Sequence, residues 1–579
     1  MNSAGFTKMS GPNSLIWTSL QPRSSLFAGR KTAHLESGAS RVSSRKQYRS
    51  SVFLPSQKPR RIMEAEENKF SLLDDGLFRV RGDDGVRECS LPEVLAALQA
   101  DAVASFDGLQ AHQEQAWYAF LVQLAAMIRA RTDRTGDLDT SDWRSGCLDL
   151  AEGNENAWHL VVSDVTEPAF MQSPVPEGSL DEAKYKSDIP SPSSLDVLVT
   201  SKNHDVKQTP IRYPRTEHWI YALITLQTME GFLGRGNYGI ARMNGGFGNR
   251  PLVGLAPGLS FGERFRRDVR VLAETHDDTV LWDADGRFKL LWTEPWDGAK
   301  ASAISLDNCD PYVIEICRRI RFTMDDGSLT CWRANTKGQR LNVPSSLSGQ
   351  TEDPWTPVDK GEDKALTLGG GGFTYRKLTD ILSGNYERPV TLERQSNDAG
   401  AMFVTARSLV RGQGKTEGLH HRDIFVPGEA SGFFSQGSDL WQKLAEISEQ
   451  RVEMVQEVES RVLRPAVAAL LTGGRRDEQP DWDVVQPWID AFDTRVNEVF
   501  FEKLWAAVNL DKRQAQNAWE HFLKTEACSQ FEAATENVPI PDLRKWRALS
   551  AARSIFESRI RDTLEMAYDD ESSSTDTDE

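Results

Sequence analysis

Cysteine is scarce in this chain. Six (Cys89, Cys147, Cys309, Cys317, Cys331 and Cys528) are spread over 579 residues, and no two form a Cys-x-x-Cys pair. That is too few for a disulfide framework and offers no zinc spacing, so a reducing cytoplasm is the expected compartment. Histidine is almost as thin, with nine residues and no His-x-x-x-His on a helical stretch. A two-metal hydrolase needs a fuller set of His and Asp ligands. His204-Asp205, His276-Asp277 and His420-His421 therefore read as surface neighbours. No Gly-x-Ser-x-Gly nucleophile elbow occurs, so neither an enzyme, a metal nor a cofactor is expected. Apolar runs are short as well: Phe120 to Ile128 is interrupted by Gln123, far from the ~20 residues that a membrane-spanning helix takes.

Basic charge is missing where a nucleic-acid binder would carry it. The net charge is −17, yet residues 1–62 hold eleven Lys/Arg against the single acid Glu36, which leaves −27 on the remainder. Such a body repels phosphate at long range. A role on nucleic acid would have to rest on a few local contacts or on basic partners.

What is present is ample core material. Sixteen Trp and twenty-five Phe, in a chain of two-to-four-domain length, bury themselves without staples. Residues 1–62, rich in Ser and Arg, are expected to be a disordered basic tail. They read as an organellar targeting segment or as a stretch upstream of a start at Met63; the sequence after Met63 favours the second. From Phe70 a short strand leads to a turn at Gly82–Gly85, and Ser90-Leu-Pro-Glu93 opens a helix with capping-box spacing. A long helix is predicted over 112–130 and another over 216–233. Between them lies a Pro/Ser-rich connection, 173–215, with one strand-like run, Leu195–Thr200. Short β-type runs alternate with turns from about 280 to 426. Beyond 437, Leu440, Leu444, Ile447, Val455, Val458 and Val462 keep helical spacing, broken only at Arg451. Further helical stretches near 481–508, 510–535 and 541–567 complete an antiparallel bundle. The expected fold class is α+β: a large mixed body over 63–436 with irregular glycine-rich loops, a four-helix bundle over 437–568, and an acidic disordered tail over 569–579.

Two motifs could carry chemistry. Gly412-Gln-Gly-Lys-Thr416 looks like the end of a nucleotide-binding P-loop, but Leu409 stands where the first glycine belongs, and Glu417-Gly418 opposes both the required helix and phosphate. A tight turn presenting Gln413 and Lys415 is the better description, with an NTPase as the alternative. The run Gly234 to Gly248 follows a helix, whereas a dinucleotide fingerprint precedes one. Its glycines, interleaved with Asn237, Arg242 and Asn244, would let backbone approach a narrow target such as a DNA minor groove. A helix cap followed by an irregular loop is the plainer reading.

Five segments occur in an order that resembles one family: Glu167-Pro-Ala-Phe-Met-Gln172, Val197–His204, Thr225–Gly234, Met243-Asn-Gly-Gly246 and Arg411–Gly418. They are similar to CasA, the large subunit of the type I-E CRISPR surveillance complex Cascade, from about Phe70 to Tyr568. The resemblance implies a non-enzymatic, cytoplasmic antiviral-defence subunit. It would recognise the protospacer-adjacent motif (PAM) in double-stranded target DNA, help open the duplex for guide-RNA pairing, and help recruit a helicase-nuclease. Its partners would be the other Cascade subunits with their guide RNA, with no membrane involved; sequence selection would be left to base pairing. A purely structural scaffold is the remaining alternative. By resemblance Lys202 pairs with phosphate and Asn203 donates to a base edge, Gly234 and Asn237 belong to a minor-groove reader, and Arg321 probes the same groove. Gln413, with Lys415 beside it, is a wedge beneath the PAM. Some family members carry a cysteine cluster after Cys309-Asp-Pro311. Only Cys317 and Cys331 stand nearby here, so zinc is not expected, and Leu77 stands where the family's opening strand commonly has tryptophan.

Overall fold

A computed structural model describes residues 68–564, except 133, 135, 201–210, 240, 241, 243–248, 413, 414, 436 and 476. Among them are the helices α1 (Leu91–Gln99), α2 (Glu114–Ala130), α3 (Thr140–Leu150), α4 (Pro192–Leu195), α5 (Thr216–Met229), α6 (Phe261–Glu274) and α7 (Tyr375–Ser383). The last five are α8 (Asp439–Glu457), α9 (Arg464–Thr472), α10 (Trp482–Ala506), α11 (Lys512–Asn537) and α12 (Lys545–Thr563). Short strands are distributed among small two- and three-stranded sheets. The class is α+β with a helical C-terminal region, as the sequence suggests.

The body is built around α2. Apolar residues occur on all its sides, so it is buried through most of its length. Trp117 on α2 packs against Phe78 (5.1 Å between ring centroids), Phe106 (5.6 Å) and Tyr221 of α5 (5.2 Å), tying the opening strands to two helices. At α1 the Ser90 backbone N–H donates to Glu93 at 2.7 Å, so that half of the anticipated capping box forms. The run Leu195–Thr200 is not a strand. Pro192 opens the single turn α4, and Val197–Thr200 is a 3-10 turn; proline at the first helical position favours that outcome over pairing. α5 also stops at Met229, four residues short of the expected end, where Glu230 turns to extended backbone.

The longest strands are Met402–Gly412 and Lys415–Val426, an antiparallel hairpin flanked on its first strand by Leu252–Ala256. Its inner face shares a core with the bundle: Val404 and Ile424 belong to the same buried cluster as Leu444, Val458, Phe500 and Leu523. Hairpin and bundle thus share one continuous buried cluster.

In the bundle, α8 runs through a π-helical turn, Val458–Leu463, into α9, which ends at Gly473 with φ +61°. The cause of the π turn is Pro465. It has no N–H to give the carbonyl of Arg461 four residues earlier, and that carbonyl instead accepts from the Arg559 guanidinium of α12 at 2.9 Å. Phe531 of α11 stacks on Phe556 of α12 at 4.4 Å, closing the bundle at its other side.

Candidate nucleic-acid interface

Directly after α5 the chain turns through glycine. The Asn237 N–H donates to the Gly234 carbonyl at 3.0 Å, and the Leu233 N–H to the Asn237 carbonyl at 3.1 Å. Gly236 has φ +89°, a conformation that L side chains resist. Gly239 is required for space: a Cβ there would lie 3.1 Å from the carbonyl oxygens of Cys317 and Gly231. This loop rests on the strand Ser328–Ala334 and the residues after it. The Thr336 N–H donates to the Gly236 carbonyl at 2.9 Å, and its hydroxyl to the Tyr238 carbonyl at 2.8 Å.

Buried polar side chains hold the loop from below. Gln227, fully buried on α5, donates to the carbonyls of Met171 (2.8 Å) and Arg318 (3.0 Å), while its own oxygen accepts from the N–H groups of Cys317 (2.9 Å) and Arg318 (2.8 Å). The Arg318 guanidinium donates to the Gly231 carbonyl at 2.6 Å and lies 3.6 Å from Glu230. Burial pulls the Arg318 pKa down, and the negative charge of Glu230 opposes that shift.

Glu230 is also the link to the long hairpin. Arg411, 3% exposed, donates to Glu230 at 2.6 Å and to the Val197 carbonyl at 2.9 Å, and it meets the hydroxyl of Thr416 on the opposite strand. Thr416 in turn donates to the Val197 carbonyl at 3.2 Å. Three segments far apart in sequence therefore meet at one buried arginine. They are the turn that leads into residues 201–204, the glycine loop, and the closing end of the hairpin.

The sequence-derived residues distribute unevenly about this joint. Gly234 and Asn237 lie on the loop, half-buried. Lys415 opens the second hairpin strand, paired with Gly412. Lys202, Asn203 and Gln413 fall outside the described residues. Arg321 does not sit at a surface. It is fully buried within the strand Arg319–Asp325 and donates to the Asp164 carbonyl at 3.0 Å and the Gln172 carbonyl at 3.5 Å. Burial lowers its pKa to about 10. Arg319 to Phe322 are all buried, so both faces of that strand are covered and Arg321 is enclosed whichever face it takes. The exposed bases beside the glycine loop are Arg235 and Lys337, the latter directly after Thr336. Neither stood out in sequence, because one isolated base in a polar turn carries no pattern.

Other readings also change. Gly412 ends the first hairpin strand and Lys415-Thr416 begin the second, which continues to Val426, so no helix N-terminus follows Lys415-Thr416 to hold phosphate. His276 is not a surface residue. It is 6% exposed, 2.9 Å from Asp310 and 3.1 Å from Asp277, and Asp310 also pairs with Arg131 at 2.5 Å. Burial opposes charge on His276, but its bonds to Asp310 and Asp277 raise the pKa overall. Among the described residues no group of three or more His, Cys, Asp or Glu is placed to hold a metal ion, and no helix is long and apolar enough to cross a membrane.

No family model and no curated relative matches the chain by sequence. Solved structures match by fold. Thermus thermophilus CasA (Cse1) is similar with a TM-score of 0.56 at 14% identity, over 86% of this chain and 100% of that one. Thermobifida fusca Cse1 gives 0.56 at 16% identity, over 86% and 98%. Acidimicrobium ferrooxidans Cse1 gives 0.55 at 14% identity, again over 86% and 98%. The chain has the CasA/Cse1 fold.

Proposed function

We propose that this chain is the large subunit of a Cascade-type CRISPR complex that reads the PAM in double-stranded DNA. The observation that carries the reading is the Arg411 joint. It binds the glycine loop, the turn before Lys202-Asn203 and the hairpin bearing Gln413 into one unit, so that three short recognition elements act at a fixed mutual spacing. In this reading the loop of Gly234 to Asn237 approaches the minor groove through its backbone, while Lys202 and Asn203 contact phosphate and base. Gln413, seconded by Lys415, wedges under the PAM, and Arg235 and Lys337 take the electrostatic part first assigned to Arg321. Unstacking one step costs a few kcal/mol, which contacts to the opened strands offset. Few bases are needed, because guide-RNA pairing and basic partner subunits supply the remaining affinity. That reconciles the role with a strongly acidic body. The protein performs no catalysis itself, and the bundle helps bring in the helicase-nuclease.

The test is an add-back gel-shift. Guide-loaded complex lacking its large subunit is mixed with this protein and a duplex bearing a permissive or a scrambled PAM at fixed salt. PAM-dependent restoration of binding is expected, and Gln413→Ala is expected to leave assembly intact while impairing duplex opening. Restoration regardless of PAM would reduce the chain to a scaffold.

A further inference from the structure

Arg451, the residue that interrupts the apolar spacing of α8, is 4% exposed. Its guanidinium lies over the ring of Trp519 on α11, 4.9 Å from the centroid, and one nitrogen reaches the Ala515 carbonyl at 3.4 Å. Its other terminal nitrogen has no hydrogen-bond partner. Among the described residues no carboxylate comes within ion-pairing reach, and burial alone lowers its pKa to about 10. A buried cation without a counter-charge is costly. Arg451 lines a groove of about 620 Å³ between α8 and α11, bounded by Met454, Glu457, Arg461 and Lys512. The two basic residues on its rim are already matched, Arg461 with Glu457 at 3.0 Å and Lys512 with Glu446 at 3.1 Å. Arg451 is what remains to be neutralised. One planar carboxylate would do so, held edge-on by a guanidinium whose face lies on an indole.

The path of α12 points to the source. Arg559 touches the backbone of Arg461, and Gly474 lies against Ala551, so α12 runs antiparallel to α9 and the π turn. Five residues beyond Arg559, about 7 Å along the axis, lies Leu564, the C-cap of the helix, buried in the same core cluster as Val455 of α8. The chain thus leaves α12 level with the groove. Residues 565–579, which lie outside the described residues, contain seven acids and no base, with Asp569, Asp570 and Glu571 consecutive. Those three stand five to seven residues past Leu564, within ~17–24 Å of extended chain.

We propose that the groove between α8 and α11 is a carboxylate-binding site occupied by the chain's own acidic segment, with Asp569–Glu571 supplying the partner of Arg451.

A labelled peptide of residues 565–579 tests this by fluorescence anisotropy against three full-length chains. The variant Asp569→Asn/Asp570→Asn/Glu571→Gln is expected to bind the peptide, weakening with salt. The wild-type chain should bind at least tenfold more weakly, its site being filled. Adding Arg451→Gln to the neutralised variant should abolish binding. Equal binding by the wild-type and neutralised chains, or binding that survives Arg451→Gln, overturns the proposal. So does Arg451-dependent capture of a labelled single-stranded oligonucleotide with no capture of the peptide. Should Arg451→Gln not fold, the wild-type and neutralised chains decide, together with melting: neutralisation is expected to lower Tm if the contact exists, and an unchanged Tm counts against it.

Discussion

Replacing Glu230 by glutamine would remove a carboxylate shared by Arg411, at 2.6 Å, and Arg318, at 3.6 Å, in a site where all three residues are less than a tenth exposed. Breaking a buried ion pair by removing one partner costs about 3–5 kcal/mol, because the surviving charge stays buried and unmatched. Here two guanidiniums are left facing each other. Both keep carbonyl partners, Val197 for Arg411 and Gly231 with Cys317 for Arg318, and the glutamine oxygen still accepts one bond. The lower end, about 3 kcal/mol, is therefore expected. If the pair holds the glycine loop closed, that energy appears as local opening. Amide exchange of Leu233, Asn237 and Thr336, whose N–H groups close the loop, should accelerate by about 150-fold, since 1.4 kcal/mol is tenfold. The amides of α2 should be unchanged. Hydrogen-exchange mass spectrometry of the full chain resolves the two regions. A second arm removes the other charge: Glu230→Gln with Arg411→Met should cost less than the sum of the single changes. Acceleration below about threefold, or equal acceleration in α2, would refute the claim that this pair is the joint.

Four further outcomes are expected. Gly239→Ala should destabilise the loop by about 1–3 kcal/mol, because its Cβ would press on the backbone oxygens of Cys317 and Gly231; retained amide protection at Asn237 would contradict this. Arg321→Met should cost about 1 kcal/mol by removing its bonds to the Asp164 and Gln172 carbonyls, which keep the N–H groups of Glu167 and Ala169 as donors, with PAM dependence in the gel-shift unaltered once folded. His276 carries a raised pKa and Asp310 a lowered one. The His276 contribution is full below its unfolded pKa and is lost as pH rises through the folded value, so His276→Gln should lower Tm more at about pH 6 than at about pH 9. Burial and the neighbouring Asp493, working against Arg376, push Glu459 up to about 7. Its stabilisation is full below the ordinary value and disappears as pH rises through about 7, so Glu459→Gln should raise Tm near pH ~8 and leave it unchanged near pH ~4.

The elements that were legible in sequence are those whose periodicity decides their state. α2, α5 and the four bundle segments announce themselves by apolar spacing, and Gly473 by its place at a helix end. What spacing could not give is the partner of a polar side chain. Gln172, Gln227 and Glu230 stand inside the quoted motifs as ordinary polar residues, and nothing local says that the two glutamines clamp backbone from distant segments, as Gln172 does with the N–H of Phe322, or that Glu230 pairs with Arg411. Arg321 shows the same blindness from the other side. A base in a β-type run reads as a probe until both faces of the strand prove to be covered. The β-branched content of Leu195–Thr200 suggests a strand, but Pro190 and Pro192 just before it fix φ, and the chain forms two short helical turns there.

The misplacement of Arg321 and the anomaly of Arg451 have one physical origin. In a chain this acidic, an arginine that is not on the surface has been retained against a large desolvation cost, so each buried one marks a place where separate segments must agree. Arg411 joins three segments through Glu230 and the Val197 carbonyl. Arg267 joins α6 to the 391–398 stretch through Asp398 and the Thr391 carbonyl. The half-buried Arg422 bridges the hairpin to α10 through Asn497 in the same way. Arg318 fastens a strand to the glycine loop through carbonyls and Glu230, and Arg321 does so elsewhere through carbonyls. By that rule Arg451 is the exception, a buried guanidinium with aromatic support and one long bond to a carbonyl. The rule therefore asks for a missing segment at that position, and the acidic residues beyond Leu564 are the piece of this chain with the charge and the reach to supply it.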